Sequence, residues 1–395
     1  MSSFTPVLLG TDLNAYSVAL SFREFAGVKS FAFGRYPCGI TSYSRFLRVK
    51  TEPRLLEKEV LWQTLTSFAD RRGPARYLLI PCADWYVALL ETGIPDGRFT
   101  AFLPPPSLFH SLSDKSSFLT LLDRFGVPHP KTVVFSFSSL KREAFACDIP
   151  YPAVLKPADS TAYWAHPFPG MQKVWYPATP AEAYDVAMRI YTSGYGGKLL
   201  LQEKIHATAA ATLTVLADGR GEVVRAVRGR VLLEETAPTA AGNYSALVSA
   251  PLDDVSRRLI AFLRGVGYRG IGNFDILYDG ERPFVLEMNP RQGRSCDFLR
   301  AAGVDLSGFL IRAAQGVPMR PSFSYPTVYW RCVKDAAVRR YAKDRTLLAE
   351  AEELRKCGFA FSPFHTDADL RFNPVRRLYV ALHEIRRGAA FGGNV

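Results

Sequence analysis

Short apolar runs alternate with helically spaced segments along the first third of the chain. The predicted strands are TPVLLG, KSFAFG and RYLLIPC, at residues 5–10, 29–34 and 76–82. Between them, apolar residues recur at helical spacing over residues 13–27 and 54–72, and Gly27 ends the first helix. Strands that alternate with helices are typical of a parallel α/β layer. The sequence therefore predicts an N-terminal α/β domain, and the prolines of FLPPPSL at residues 102–108 predict its boundary.

The turn GTDLN follows the first predicted strand. It lacks the G-x-G-x-x-G pattern of a dinucleotide site, so it does not predict a Rossmann cofactor. A strand-to-helix turn capped by Asp12 or Asn14 is the simpler interpretation, and contact with a ligand is the alternative.

Three further segments carry charged or polar groups at the ends of elements. SLSDKSSFLTLLDRFG predicts a capped helix that contains Lys115 and ends at Gly126. YPAVLKP predicts a strand with Lys156 at its end, where a solvated surface cation is not expected. KLLLQEKI predicts another strand, which ends in Gln202 and Glu203.

The stretch PFVLEMNPRQGRS, residues 283–295, predicts a buried strand with a strongly polar end. Glu287 and Asn289 are two residues apart and thus face the same side of a strand, and Arg291 and Arg294 follow. The preceding segment NFDILYDGE predicts a hairpin that places Asp275 on the neighbouring strand. Carboxylate and amide oxygens suit Mg²⁺, which commonly bridges protein carboxylates and substrate phosphates. Alone, the E-x-N triplet is more simply a solvated strand end. Together with Asp275 and the upstream Lys115 and Lys156, it predicts a metal site, with the arginines serving a phosphate or a carboxylate.

Composition narrows the class of protein. The chain has 395 residues, of which 48% are hydrophobic, and this is a globular composition. No apolar run reaches the roughly 18 to 20 residues of a membrane span, so we expect a cytoplasmic chain. The six cysteines form no C-x-x-C pair and are expected to be buried thiols. The net charge of +12 favours anionic partners without specifying them.

The order of these motifs resembles the ATP-grasp superfamily. It runs from a helix with Lys115, through a strand with Lys156 and a strand ending QE, to an acidic strand and E-x-N-P-R. The resemblance implies an α/β (α+β) ATP-grasp fold. Its expected parts are a Rossmann-like pre-ATP-grasp domain, a small ATP-lid domain, a catalytic domain and a basic helical extension, at residues 1–108, 109–205, 206–320 and 321–395.

The resemblance also implies roles for individual residues. Lys156 and Lys115 correspond to the lysines that contact the nucleotide's phosphates. The interdomain hinge, whose backbone contacts adenine, corresponds to Gln202, Glu203, Lys204 and Ile205. The family's ribose-binding acid has no match in the following HATAAATLTV, and the loop DSTAYWAHPFPG is poorer in glycine than many phosphate-covering loops. His166 and His206 are expected to be ordinary polar residues.

Within the superfamily, the chain is similar to the D-aspartate ligase group over roughly residues 6 to 315. The similar segments are LLGTDLNAYSVALSFREF, KPADSTAYWAHPFPGMQKVW, VLLEETAPTAAGNYSALV and LEMNPRQGRS with the following FLRAAG. The resemblance implies ATP with Mg²⁺ or Mn²⁺, and phosphorylation of an amino-acid carboxylate before amine attack. The amine acceptor would be a peptidoglycan precursor. A dipeptide or natural-product ligase is the alternative.

The C-terminal segment NPVRRLYVALHEIRRG raises a different possibility. It predicts a helix with Val375, Leu378, Leu382 and Ile385 on one stripe and arginines off it. The simpler interpretation is that the apolar stripe packs on the protein and leaves a solvated basic face. The alternative is peripheral contact with an anionic membrane, and a chain that only bound a membrane surface or a nucleic acid, without catalysis, would account for the net charge but not for the polar groups around Glu287. No signature of a specific nucleic-acid module is present, so we expect no specific nucleic-acid partner.

Overall fold

The computed structural model describes residues 4–235 and 242–391. The N-terminal strands are β1 (Phe4–Leu9), β2 (Ser30–Gly34), β3 (Leu47–Thr51), β4 (Arg76–Pro81) and β5 (Phe99–Ala101). They form a parallel sheet in the order β3-β2-β1-β4-β5. The helices of this part are α1 (Leu13–Phe25), α2 (Gly39–Ser42), α3 (Lys58–Arg72) and α4 (Asp84–Glu91).

The predicted elements of this layer are confirmed, but the pattern missed β3, β5, α2 and α4. β3 is an edge strand, and only Leu47 is buried in it, so no apolar run marks it. β5 has only three residues. The turn before α1 is a helix cap, since the Asp12 side chain accepts a hydrogen bond from Ala15 N at 3.3 Å.

The central part of the chain contains a small antiparallel sheet. Its strands are β6 (Thr132–Phe135), β7 (Ala153–Pro157) and β8 (Leu199–Glu203), in the order β6-β8-β7. The helices are α5 (Pro106–Ser113), α6 (Lys115–Arg124), α7 (Ser160–Trp164) and α8 (Pro180–Thr192), with short 3₁₀ turns at Phe137–Ser139 and Arg142–Phe145. Asp114 caps α6 by accepting from Ser117 N at 2.8 Å, so Lys115 begins the helix.

The largest sheet has seven strands within the described ranges. They are β9 (Ala209–Ala217), β10 (Val223–Glu234), β11 (Tyr244–Ala250), β12 (Gly270–Asp279), β13 (Arg282–Asn289), β14 (Tyr329–Arg331) and β15 (Ala360–Phe361). Their order is β13-β12-β9-β10-β11-β14-β15. The accompanying helices are α9 (Asp254–Gly265), α10 (Asp297–Ala301) and α11 (Leu306–Ala314). The similar segment VLLEETAPTAAGNYSALV lies partly outside the described residues, at 236–241.

The C-terminal part contributes α12 (Asp335–Tyr341), α13 (Arg345–Lys356), α14 (Asp367–Leu370) and α15 (Pro374–Ala390). It is not purely helical, because β14 and β15 extend the largest sheet. Helix α15 packs on the protein as expected, but not through its apolar stripe. Arg376 and Val380 lie on the buried face of this helix, whereas the apolar stripe from Val375 to Ile385 faces solvent.

One apolar cluster joins the N-terminal layer to the largest sheet. It includes Tyr16 and Leu20 of α1, Phe298 of α10, Phe309 of α11 and Trp330 of β14. Because this core is continuous, the parallel sheet is packed directly against the elements that follow β13. The polar end of β13 is therefore enclosed on one side by the N-terminal layer.

The structure bears on two expectations drawn from composition, the burial of the cysteines and the lack of a membrane span. All six cysteines are free thiols, but Cys357 is exposed and Cys38 and Cys147 are only half-buried, so the expectation of burial was wrong for these three. Over residues 4–235 and 242–391, no helix combines the length and apolarity that a membrane span requires.

Candidate active site

The β12–β13 hairpin brings two carboxylates side by side. Asp275 pairs directly with Glu287 in the antiparallel register, and Asn273 pairs with Asn289. Cross-strand partners project to the same face, so the two carboxylates point in one direction. The turn contains Gly280 at φ 61°, a left-handed conformation that glycine adopts without steric cost. The predicted hairpin is thus confirmed.

Lysines from other elements face Glu287. The Nζ atom of Lys115 lies 3.4 Å from Glu287 Oε2 and donates to Ser160 Oγ at 3.0 Å. Burial acts to raise the pKa of Glu287, but the charges of Lys115, Lys173 and Lys156 outweigh it and lower that pKa to about 2. Glu287 is therefore ionised across the physiological range of pH.

The other carboxylate has a different electrostatic environment. Burial, reinforced by the neighbouring charge of Glu287, raises the pKa of Asp275 to about 7. The hydroxyl of Tyr244 donates to Asp275 Oδ1 at 3.0 Å. A nearby cation would favour the ionised form of Asp275, because an opposite charge lowers the pKa of a carboxyl group.

Lys156 is buried at the end of β7, as its sequence context predicts. Burial lowers the pKa of this lysine to about 8, although Glu287 acts in the opposite direction. A buried ammonium without a full counter-charge is costly. It would be stabilised by an anion that entered the cleft.

These residues line a cleft of about 290 Å³. Its charged and polar lining comprises Lys115, Lys156, Ser160, Lys173, Gln202, Glu203, Lys204, Glu234, Tyr244, Asp275 and Glu287. Its apolar lining includes Val154, Val174, Ile205, Leu277 and Leu286. Apolar side chains suit a purine ring, and lysines suit phosphates. The cleft therefore has the chemistry that a nucleotide requires.

A larger cavity of about 690 Å³ lies elsewhere and lacks this chemistry. Its charged lining consists of Arg228, Arg257 and Arg264, without a carboxylate. His166 and His206 line neither cavity.

The predicted hinge residues lie at the end of β8. Gln202 Nε2 donates to Thr132 Oγ1 at 2.7 Å. Glu203 Oε1 accepts from Lys131 N at 2.8 Å, so this carboxylate is already engaged. The Lys204 ammonium lies 5.4 Å from the centroid of the Tyr176 ring. These side-chain contacts thus stabilise the strand end, and Lys204 and Ile205 line the cleft.

Asn289 and the two arginines are not among the lining residues of this cleft. Arg291 forms an ion pair with Asp84 at the start of α4, with Nε 2.9 Å from Oδ1. Its Nη2 atom lies 3.4 Å from Asn289 Oδ1. Nη1 of Arg294 lies 3.2 Å from Oε1 of Glu235. The arginines therefore extend the polar strand end towards other parts of the molecule.

Sequence reasoning missed several groups at this site. Lys173 contributes charge to the cleft from the segment between α7 and α8, and its presence in the aromatic loop GMQKVW was an available signal. Tyr244, Asp84 and Glu235 come from distant elements and had no local signal. Arg387 of α15 donates to Glu235 Oε1 at 2.6 Å and so links the C-terminal helix to the strand end.

The donor set suits a small divalent cation. Asp275 and Glu287 line the cleft with carboxylate oxygens, whereas Asn289 lies outside its lining and its Oδ1 atom faces Arg291 Nη2. Among the described residues, no three His, Cys, Asp or Glu side chains converge as a ligand cluster. Mg²⁺ fits such a site, because it commonly uses one or two carboxylates and takes its other ligands from water and phosphate.

Comparisons with known proteins agree with this chemistry. Residues 114–321 match the family described as the carbamoyl-phosphate synthase L chain, ATP binding domain. The chain is also 31% identical to a D-aspartate ligase of Enterococcus faecium over 319 residues, which cover 78% of this chain and 76% of that protein.

Two solved structures share the fold. The biotin carboxylase domain of the Hydrogenobacter thermophilus 2-oxoglutarate carboxylase, in complex with MgADP and bicarbonate, has a TM-score of 0.62 at 19% identity. This match covers 83% of this chain and 74% of that chain. An L-amino acid ligase from Bacillus licheniformis has a TM-score of 0.55 at 12% identity and covers 81% and 76%.

The chain therefore belongs to the ATP-grasp superfamily, and the predicted fold class is confirmed. Within that superfamily it is related to D-aspartate ligase over most of both chains. It is an ATP-binding enzyme, a carboxylate-amine ligase that forms C–N bonds.

Proposed function

We propose that the enzyme activates the carboxylate of D-aspartate or a similar amino acid and joins it to an amine of a peptidoglycan precursor. The observation that carries the ligase chemistry is the pair Asp275 and Glu287, which face buried lysines across one cleft. The relation to D-aspartate ligase supports the amino acid.

The cleft would hold ATP between the small sheet and the β12–β13 hairpin. Lys115 and Lys156 would contact its phosphates, and the backbone of residues 202–205 would contact adenine. Residues 109–205 would act as the lid, 1–108 as the pre-ATP-grasp domain, 206–320 as the catalytic domain and 321–395 as the C-terminal extension. The site of ribose contact has no assigned acid in this proposal.

Asp275, Glu287 and Asn289 would hold Mg²⁺ or Mn²⁺. When bound, the cation would neutralise charge on the phosphates. The charges of Lys115, Lys173 and Lys156 exceed the single negative charge of Glu287 that they face, which would favour entry of the phosphates. The positions of these groups are fixed by strand pairing and by helix α6, so little reorganisation accompanies the reaction.

The reaction has two steps that conserve atoms and charge. A carboxylate oxygen attacks the γ-phosphorus of ATP, the bond from that phosphorus to the β,γ-bridging oxygen breaks, and ADP leaves with the acyl phosphate formed. The amine nitrogen then attacks the acyl carbon, and phosphate leaves with the bonding pair. The nitrogen loses its proton to phosphate or solvent, so no histidine base is required.

Arg291 and Arg294 would divide the work on the substrate side. Arg291 would neutralise charge on the transferring phosphoryl group, and Arg294 would bind the amino-acid carboxylate through bidentate hydrogen bonds. In the structure each guanidinium already faces a carboxylate, Asp84 or Glu235. These pairs hold the arginines in place, and a substrate carboxylate would compete with Glu235 for Arg294.

The second candidate is a dipeptide or natural-product amino-acid ligase. The fold shared with an L-amino acid ligase favours it, although that likeness concerns the fold alone. The two candidates require the same activation step and differ in the amine acceptor.

A screen of ADP release distinguishes them. The full chain would be incubated with Mg²⁺, ATP and individual D- or L-amino acids, with and without a lysine-containing peptidoglycan-precursor peptide. We expect ADP formation that requires D-aspartate and the peptide together. ADP release with two free amino acids and no response to the peptide would favour the second candidate. No amino-acid-dependent ADP release with any combination would contradict both.

A further inference from the structure

Helix α15 exposes an apolar stripe to solvent. Val375, Leu378, Leu382 and Ile385 are between 47% and 63% exposed, and Phe372 just before the helix is 77% exposed. Their spacing places the four aliphatic side chains along one side of the helix. Single exposed apolar residues are common, but a continuous stripe of large ones is typical of an interaction surface.

The buried face of α15 fixes this orientation. Arg376 is fully buried, forms an ion pair with Asp369 at 3.2 Å and places its guanidinium 4.5 Å from the centre of the Tyr16 ring. Tyr379 packs so closely on Gly39 that a Cβ atom there would lie 2.3 Å from its ring. Turning the stripe inwards would break these contacts and place four apolar side chains where polar groups now pair.

Exposed charge flanks the stripe on both sides. At 3.6 residues per turn, Arg377 lies along one edge of the stripe and Arg386 along the opposite edge. Arg371 is exposed just before the helix. The acidic residue of this segment, Glu384, is buried, and its Oε1 atom lies 2.6 Å from Nε2 of His365. Every exposed charged side chain between residues 371 and 387 is therefore an arginine.

We propose that α15 docks on an anionic membrane surface through this stripe, with Arg377 and Arg386 contacting lipid headgroups. An apolar stripe edged by basic residues is the pattern of helices that lie in the plane of the interface. A second copy of the chain is the less favoured partner. In a dimer formed through α15, the arginines of the two helices would lie close together. The helix has no exposed acidic side chain to pair with them. Docking is independent of the ligase reaction.

Co-sedimentation of the full-length protein with vesicles tests the proposal in the absence of ATP. Vesicles of phosphatidylcholine alone would be compared with vesicles that contain equal parts of phosphatidylglycerol and phosphatidylcholine. We expect binding to the anionic vesicles, weakened by added salt because the headgroup contacts are electrostatic. The double variant Leu378→Gln with Leu382→Gln should bind about tenfold more weakly, since it removes buried apolar area at the interface.

Two further variants make the result specific. Val134 and Val317 are each 42% exposed at sites outside α15, so Val134→Gln with Val317→Gln is a matched control that should bind like the wild type. Arg386→Glu should weaken binding to anionic vesicles by about fivefold or more. All variants should retain wild-type thermal unfolding midpoints, because the altered side chains are exposed.

Several outcomes would overturn the proposal. Absence of wild-type binding to the anionic vesicles would do so, as would equal binding by the stripe variant. A concentration-dependent dimer in sedimentation velocity that the stripe variant abolishes would assign the stripe to a second copy instead. None of these results depends on ligase activity, so the ligase proposal would stand or fall separately.

Discussion

At the scale of single residues, neighbouring groups in the cleft have pKa values shifted in opposite directions. Glu287 stays ionised because lysines surround it, whereas burial and the charge of Glu287 raise the pKa of Asp275. Burial lowers the pKa of Lys156 towards the physiological range. Each shift is opposed by binding of a group of opposite charge, a cation for Asp275 and a phosphate for Lys156.

The pH dependence of ATP binding is expected to report on Lys156. Below a pKa of about 8 this lysine is charged and attracts phosphate, and above that value the free protein loses the charge. The dissociation constant for ATP should therefore increase by up to about tenfold per pH unit above pH 8, until the pKa of the bound form is reached. Calorimetric titrations across this range provide the measurement.

Lys156→Arg is the control, since a guanidinium remains charged throughout the range. Its affinity should change less steeply with pH than that of the wild type. Parallel profiles for the two proteins would show that another group causes the pH dependence.

Glu287→Gln is expected to lower the rate of amino-acid-dependent ADP formation by about 100-fold or more, because it removes a carboxylate from the proposed cation site. The fold should persist, since glutamine has nearly the same shape and the strand pairing is unchanged. Glu281→Gln on the exposed turn of the same hairpin is the matched control. Near-normal turnover by Glu287→Gln at all Mg²⁺ concentrations would exclude Glu287 as a ligand.

At the scale of elements, the two faces of α15 make different contacts. Its inner face reaches the polar end of β13 through Arg387, which shares Glu235 with Arg294. Its outer face carries the exposed apolar stripe. The C-terminal helix is therefore connected to the proposed substrate site through a single carboxylate.

Replacing Arg387 by alanine should reduce stability and affect substrate binding. The change removes a mostly buried charged hydrogen bond to Glu235 and should cost about 1.5 to 3 kcal/mol. Glu235 would then pair with Arg294 alone, so the KM for the amino acid should increase. Arg386→Ala, one residue earlier on the exposed side, should change stability by no more than about 0.5 kcal/mol.

Urea unfolding midpoints and steady-state kinetics provide the two measurements. A lower midpoint with an unchanged KM would limit Arg387 to a structural role. Equal effects of the Arg387 and Arg386 variants would contradict the assignment of the two faces.

At the scale of the whole molecule, the N-terminal layer holds the turn after β13 in place. Asn14 donates to the carbonyl oxygens of Cys82 and Gln292, each at 3.0 Å, and so joins α1, the end of β4 and the turn after β13. The ion pair of Asp84 with Arg291 makes a parallel connection. The contacts of Asn14 with Gln292 and of Asp84 with Arg291 each join residues that are more than 200 positions apart in sequence.

Asn14→Ala should destabilise the protein by about 1 to 3 kcal/mol, because it leaves two buried carbonyl groups without their donor. The kcat should fall as well, since Gln292 adjoins Arg291. Gln63→Ala on the exposed side of α3 is the control and should be close to neutral. Unfolding midpoints and kcat for both variants make the comparison, and a neutral Asn14→Ala would show that the connection contributes little.

The sequence by itself determined the main elements and much of the cleft. Apolar spacing predicted β1, β2, β4, α1 and α6, and the hairpin turn predicted that Asp275 would lie beside Glu287. Strand periodicity, helix caps and tight turns depend on residues close together in the chain, so they are visible in sequence. The motif order, through its resemblance to a known superfamily, then placed Lys115 and Lys156 near the same point.

Only the tertiary structure decided which groups complete the site and which face of α15 is buried. Glu235 and Arg387 meet although they are 152 positions apart, and no local pattern marks such a pair. The periodicity of α15 shows two faces correctly, but it does not say which one packs inwards. That choice depends on the partners available in the fold: Asp369 and the Tyr16 ring stabilise the buried Arg376, and they leave the apolar stripe outside.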